Sequence, residues 1–182
     1  SAASDVYKRQ INDVSLTGST VTLNDDITTA ADSDDTGASG TTGAVTITGA
    51  ALIETATDVA ITTSSNNGAV TFTSTVNSAG DKSLTIASGT GAVDFGGVIG
   101  GVANKHLSGL TVNSTAGSGG VTNTGTIDIK GIGSTTGPEY GVEGTVTIGN
   151  TTTADVTFDG TQYVVDGDFT VTSTDGDNIK LT

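Results

Sequence analysis

The sequence predicts an all-β fold, a parallel β-solenoid of about six to seven coils of roughly 24 residues. Three observations predict it. A short apolar–X–apolar motif, with X usually Thr, starts at Val45, Val70, Val93, Val121, Val146 and Phe169, in steps of 25, 23, 28, 25 and 23 residues. A second series falls between the first, at Val59, Leu84 and Leu110, then at Val156 and Ile179, with Ile127-Asp128-Ile129 fitting it less well. The motifs are separated by Gly, Asn, Asp and Ser, the residues that tight corners with positive φ require. Two short strands per repeat describe a coil that closes and starts again. Composition agrees: 27 Gly, 1 Pro and only 4% aromatic residues suit a narrow bore filled by Val, Ile, Leu and an occasional Phe. A disordered chain of this charge is the competing reading, and the period argues against it.

Along the chain, residues 1–10 (SAASDVYKRQ) back-translate codon for codon to a string similar to a common transposase sequencing adaptor. They are set aside as a tag would be. The remainder, 11–182, reads as one solenoid segment of a longer metagenomic reading frame. Val14-Ser15-Leu16, Val21-Thr22-Leu23 and Ile27-Thr28-Thr29 read as one coil, partial or complete. Ala31 to Gly43 lacks apolar alternation and reads as an exposed loop. From Ala44 onward the repeats are nearly continuous, with Gly96–Gly109 and Gly131–Gly144 as longer insertions between strands. The period of two dominates and no segment carries helical periodicity. Alternation points Val45, Ile47, Val70, Phe72, Val93 and Phe95 into the bore, and Thr46, Thr71 and Asp94 outward. Coils stacked about 4.8 Å apart would place Phe72 over Phe95 in an internal ladder. The main rival is an antiparallel sandwich using the half-repeats as hairpins. Only Asn67-Gly68 offers a hairpin-type dipeptide between strands, which disfavours it.

Composition excludes several function classes. The chain has no Cys, which removes disulfides, thiolate catalysis and Cys-type zinc sites. The formal charge is −14, and −15 without the first ten residues. Beyond those residues the only Lys and Arg side chains are Lys82, Lys105, Lys130 and Lys180. Such a surface repels nucleic acid and anionic membranes, so neither a nucleic-acid partner nor direct membrane insertion is expected.

The segment Val70–Ser114 reads VTFTSTVNSAGDKSLTIASGTGAVDFGGVIGGVANKHLSGLTVNS. Its succession GxVTFxxxV, SLTIxSGTGxVDFGGxIGG and LSGLTV resembles repeats of filamentous-haemagglutinin-like and autotransporter-type bacterial surface adhesins. The resemblance is closest over Ala44–Asn113 and looser elsewhere. It implies a single-stranded right-handed parallel β-helix, secretion to the outer surface of a Gram-negative bacterium, and a role as adhesin or stalk. The implied partners are neighbouring coils of the full-length protein and a host glycan or protein. The family carries no catalytic residue, so none transfers, and neither a secretion domain nor a translocator barrel is present in this sequence.

The residues give the same expectation of no catalytic, cofactor or metal site. His106, the one histidine, lies in the Gly96–Gly109 insertion and reads as a solvent-exposed loop residue. The hydroxyls lack a neighbouring base and read as β-face residues. Polysaccharide lyases on similar scaffolds use Arg or Lys beside calcium, and the only Arg here is Arg9 in the adaptor. Paired carboxylates for glycoside hydrolysis cannot be singled out among acids spread over every turn. The alternative function is binding of calcium or ice. Asp166-Gly167-Asp168 and Asp175-Gly176-Asp177 lie nine residues apart, a spacing similar to calcium-binding β-rolls, although the full nonapeptide pattern is absent. Asp25-Asp26 and Asp32-Ser33-Asp34-Asp35 read as solvated loop charge. The set Thr46/Thr48, Thr71/Thr73, Thr122/Thr124, Thr145/Thr147 and Thr170/Thr172 resembles the stacked ladders of ice-binding solenoids, broken at Asp94. Its bland reading is exposed β-propensity. Asn113-Ser114-Thr115 and Asn150-Thr151-Thr152 match the N-glycosylation pattern, a weak signal.

Overall fold

Val, Ile and Thr dominate the strands, and their branched Cβ packs well on a pleated surface. The computed structural model describes residues 13–29, 43–54, 57–64, 67–114, 124–135, 137, 139–174 and 179–182. Among them are fourteen strands and no helix. In chain order they are β1 (Val14–Leu23), β2 (Ile27–Thr28), β3 (Val45–Ile53), β4 (Val59–Thr62), β5 (Val70–Phe72), β6 (Val76–Ser78) and β7 (Leu84–Ala87). There follow β8 (Val93–Phe95), β9 (Leu110–Val112), β10 (Ile127–Ile129), β11 (Val146–Ile148), β12 (Val156–Phe158), β13 (Phe169–Val171) and β14 (Ile179–Leu181).

Every pairing among the described residues is parallel, which rules out the sandwich. One sheet runs β1-β3-β5-β8-β10-β12-β14, with β6 also paired to β3, and the other runs β2-β4-β7-β9-β11-β13. The chain makes five turns between β2 and β13, with partial turns beyond, slightly fewer than the six to seven coils predicted.

Register fills the bore with columns. In the first sheet Val14, Val45, Val70, Val93, Ile127, Val156 and Ile179 form one file, and Leu16, Ile47, Phe72, Phe95, Ile129, Phe158 and Leu181 the next. The second sheet answers with Val59, Leu84, Leu110, Val146 and Phe169 beside Ile61, Ile86, Val112, Ile148 and Val171. Inward and outward residues alternate as predicted: Val70 and Phe72 are fully buried and Thr71 between them is half-buried. The Phe72 and Phe95 rings stack with centroids 5.2 Å apart and planes 2° from parallel. Glycine is needed where coils touch. A Cβ on Gly91 would collide with the Gly68 carbonyl, and one on Gly125 with the Gly91 carbonyl.

Two expectations are corrected. The strand series cross over after Val93. Ile127, Val156 and Ile179 continue the first sheet, while Val146 and Phe169 stack above Leu110 in the second. Val121 lies outside the described residues. The cause is the length of the segments after β9 and β10. They lengthen the repeat so that a strand of one sheet falls at the spacing of the other, and register follows hydrogen bonding rather than residue count. The Gly96–Gly109 and Gly131–Gly144 segments are also more than insertions. They contribute a third wall, in which Val76, Ile99, Ile132 and Tyr163 bridge in file, and so do Leu107, Val142 and Val165. Ile99, Leu107, Ile132 and Val142 are all fully buried. The expected loop Ala31–Gly43 lies, except for Gly43, outside the described residues.

Candidate functional site

The corner that leads into the second sheet brings chemistry together. Asp81 precedes β7, His106 precedes β9 and Glu143 precedes β11, so the three sit on successive coils. Backbone bonds hold the coils in line here: Ser108 N–H donates to the Lys82 carbonyl (3.2 Å) and Glu143 N–H to the Leu107 carbonyl (2.8 Å). His106 Nε2 lies 3.1 Å from Asp81 Oδ1 and 3.3 Å from Glu143 Oε2. The three ligand-type atoms lie within 4.8 Å of one another. The His106 side chain is only 15% exposed, whereas the carboxylates are about 60% exposed. His106 is therefore not the solvent-exposed loop residue expected. Leu107, which follows it, anchors the segment in the bore and draws the imidazole against the wall. The acidic residues that flank it lie 25 and 37 positions away, so only the coil register could have revealed them.

This geometry limits the chemistry. Among the described residues no hydroxyl hydrogen-bonds to His106, so no nucleophile–base pair is formed. Asp81 and Glu143 approach each other like a glycosidase pair, but the imidazole nitrogen fills the gap where the anomeric carbon would sit.

A second charged group lies on the outer face of the first sheet. Asp94 and Asp128 are direct neighbours in register, and Lys130 pairs with Asp159. One carboxylate oxygen each of Asp128 and Asp159 is buried without a hydrogen bond. Burial chiefly, then the charges of Asp159 and Asp94, push the Asp128 carboxyl above its ordinary value, against the opposing pull of Lys130. Burial likewise raises Tyr163, whose hydroxyl donates to the Ile129 carbonyl (3.2 Å) and accepts from Gly160 N–H (2.8 Å). A raised carboxyl binds its proton more tightly folded than unfolded. Its ionisation therefore opposes folding once pH rises above the ordinary Asp range. Asp128→Asn should raise the melting temperature at neutral pH and change it little in acid, where both states are protonated. An equal shift at both pH values would contradict this assignment.

The other sequence candidates lie in separate turns or outside the described residues. Asp166 and Asp168 lie in the turn before β13, where Asp166 N–H donates to the Val142 carbonyl and the Asp168 carbonyl accepts from Val146 N–H. Asp175 and Asp177 lie outside the described residues, as do Asp32, Asp34 and Asp35. Asp25 accepts from the Asp26 N–H, and Asp26 from the Ala60 N–H one coil on, so both serve the turn.

The Thr-X-Thr set does not form one face. Thr46 and Thr71 are paired on the first sheet, Thr147 and Thr170 on the second, and Thr122 is outside the described residues. The continuous file is Thr85, Thr111, Thr147 and Thr170, and two residues along each strand it is flanked by Ala87, Asn113, Gly149 and Thr172 rather than by a second threonine file. Asn113 and Asn150 are 1% and 6% exposed, so neither side chain is presented for glycosylation in the folded chain.

Comparison with family models, with curated proteins and with solved structures finds no match for this chain.

Proposed function

We propose that this chain is a structural and adhesive repeat segment of a secreted or outer-surface exoprotein of a Gram-negative bacterium, of the filamentous-haemagglutinin-like or autotransporter type. It acts as a stalk or attachment surface and carries no enzymatic activity. The observation that carries the reading is the way the inward columns run without interruption through the described coils. Phe169 is 44% and Leu181 77% exposed at one end, and Val14, Leu16, Val21 and Ile27 are only part-buried at the other. Apolar coil faces of this kind can stack on another coil. The long lateral faces, rich in Thr and acidic groups, are left for a host glycan or protein.

Sedimentation of the full chain over a range of concentrations tests the stacking. End-to-end association is expected, and Phe169→Lys with Leu181→Lys should weaken it strongly. A chain that stays monomeric at all concentrations, unaffected by these substitutions, would remove the stacking role. Beads coated with the chain, tested on arrayed glycans and matrix proteins, address adhesion, and absence of retention would leave the stalk role alone.

A further inference from the structure

We propose that Asp81, His106 and Glu143 form a binding site for a divalent transition-metal ion, for which zinc is the best fit. A tetrahedral zinc ion with bonds of about 2.0–2.2 Å spaces its ligand atoms roughly 3.3–3.5 Å apart. The two nitrogen–oxygen edges measure 3.1 and 3.3 Å, and all three donor atoms fall within 4.8 Å. The exposed carboxylates leave the fourth position open to water.

The imidazole aims its Nε2 at both carboxylates. It is the only histidine in the chain, it is mostly buried, and its Nδ1 is enclosed without a hydrogen-bond partner. The imidazolium offers the two carboxylates a single Nε2–H, and its enclosed Nδ1–H is one that a metal-bound imidazole keeps as well. In the neutral form protonated at Nε2, the single hydrogen can point at only one of two oxygens. In the other neutral form the Nε2 lone pair faces two carboxylates. A cation at Nε2 takes the lone pair and both carboxylates together. An imidazole donor selects zinc or a neighbouring transition metal over calcium and magnesium, which prefer all-oxygen shells.

Charge agrees. The site carries two carboxylates on a chain of −14, and among the described residues neither Lys82 nor Lys105 forms an ion pair with them. A bound ion would staple three successive coils at one corner, since each coil supplies one ligand. Because it binds only the stacked arrangement, it stabilises that arrangement by mass action. The missing Nδ1 partner predicts affinity about 10–100-fold below that of a site with a supporting hydrogen bond.

The single histidine makes the test direct. In the 15N-labelled full chain, the only side-chain imidazole signals belong to His106. Zinc should move the Nε2 resonance and saturate at one equivalent, while calcium leaves it unmoved. The melting temperature should rise by several degrees with zinc and return on chelation. His106→Gln and Asp81→Asn should melt like the parent chain in chelator but lose the zinc increment. An imidazole unmoved by one equivalent of zinc would overturn the site. So would an increment that survives His106→Gln, since that is general binding to an acidic surface. If His106→Gln does not fold, the titration of the unsubstituted chain decides alone.

Discussion

Phe72→Ala should cost about 3–5 kcal/mol of stability, the range for removing a buried aromatic ring. Phe72 is fully buried, and its ring lies face-on to Phe95 at 5.2 Å. The separation follows from the coil spacing of about 4.8 Å with a small offset, the arrangement that the ring quadrupoles favour. The cavity cannot collapse readily, because the backbone on each side is held by parallel pairing to β3 and β8. The substitution therefore loses the transfer energy of the ring, the stacking contact and the packing of Ile47 above it. Denaturant unfolding followed by circular dichroism measures the loss, and Phe72→Leu, which keeps most of the volume, should lose less than half as much. A Phe72→Ala chain within about 1 kcal/mol of the parent would mean that the bore is loosely packed at this level.

The Phe72–Phe95 stack was legible in the sequence because both rings sit in the third position of the same motif, 23 residues apart, where alternation fixes the face and the repeat fixes the neighbour. The third wall was not. Ile132, Leu107 and Val142 stand as single apolar residues between glycines and polar residues, and Ile99 follows Val98 between two glycine pairs, all without the period of two that marks a strand, yet each is fully buried. One inward side chain is enough for a coil wall when the walls above and below supply the rest. The crossover of the series was hidden for a related reason. Val146 lies 25 residues after Val121, which matches the period, but its hydrogen-bonded neighbour is Leu110, 36 residues back. The Asp81–His106–Glu143 site depends on that same register, since it joins residues from three coils whose spacings differ. A lone histidine carries no sequence signal for such a site until the coils are aligned. The glycosylation pattern at Asn113 is a weak signal because Asn also tolerates a buried corner with positive φ.

Asn113→Ala should cost about 2–4 kcal/mol, more than its position in a short corner suggests. The Asn113 backbone is left-handed, with φ of 50°, and its side chain is almost wholly buried. The side-chain carbonyl accepts from Ser88 N–H at 2.8 Å, and its amide donates to Ser88 Oγ at 2.9 Å. Ser88 Oγ in turn donates to the Gly91 carbonyl at 2.6 Å, closing the corner into β8. On the other side Asn150 Nδ2 donates to the Asn113 carbonyl at 2.6 Å, so the network ties three successive coils. Removing the amide strands a buried N–H of Ser88, and alanine adds the penalty of a left-handed backbone. Asn113→Gly separates the two effects, because glycine relieves the backbone term and retains only the hydrogen-bond loss. It should be less destabilising than alanine by about 1 kcal/mol. Ser88→Ala leaves the Gly91 carbonyl and the Asn113 amide each without this partner. Combined with Asn113→Ala it should cost less than the sum of the singles, with a coupling of about 0.5–3 kcal/mol. Strictly additive losses would show that the two side chains act separately, and the corner would then be held by its backbone bonds alone.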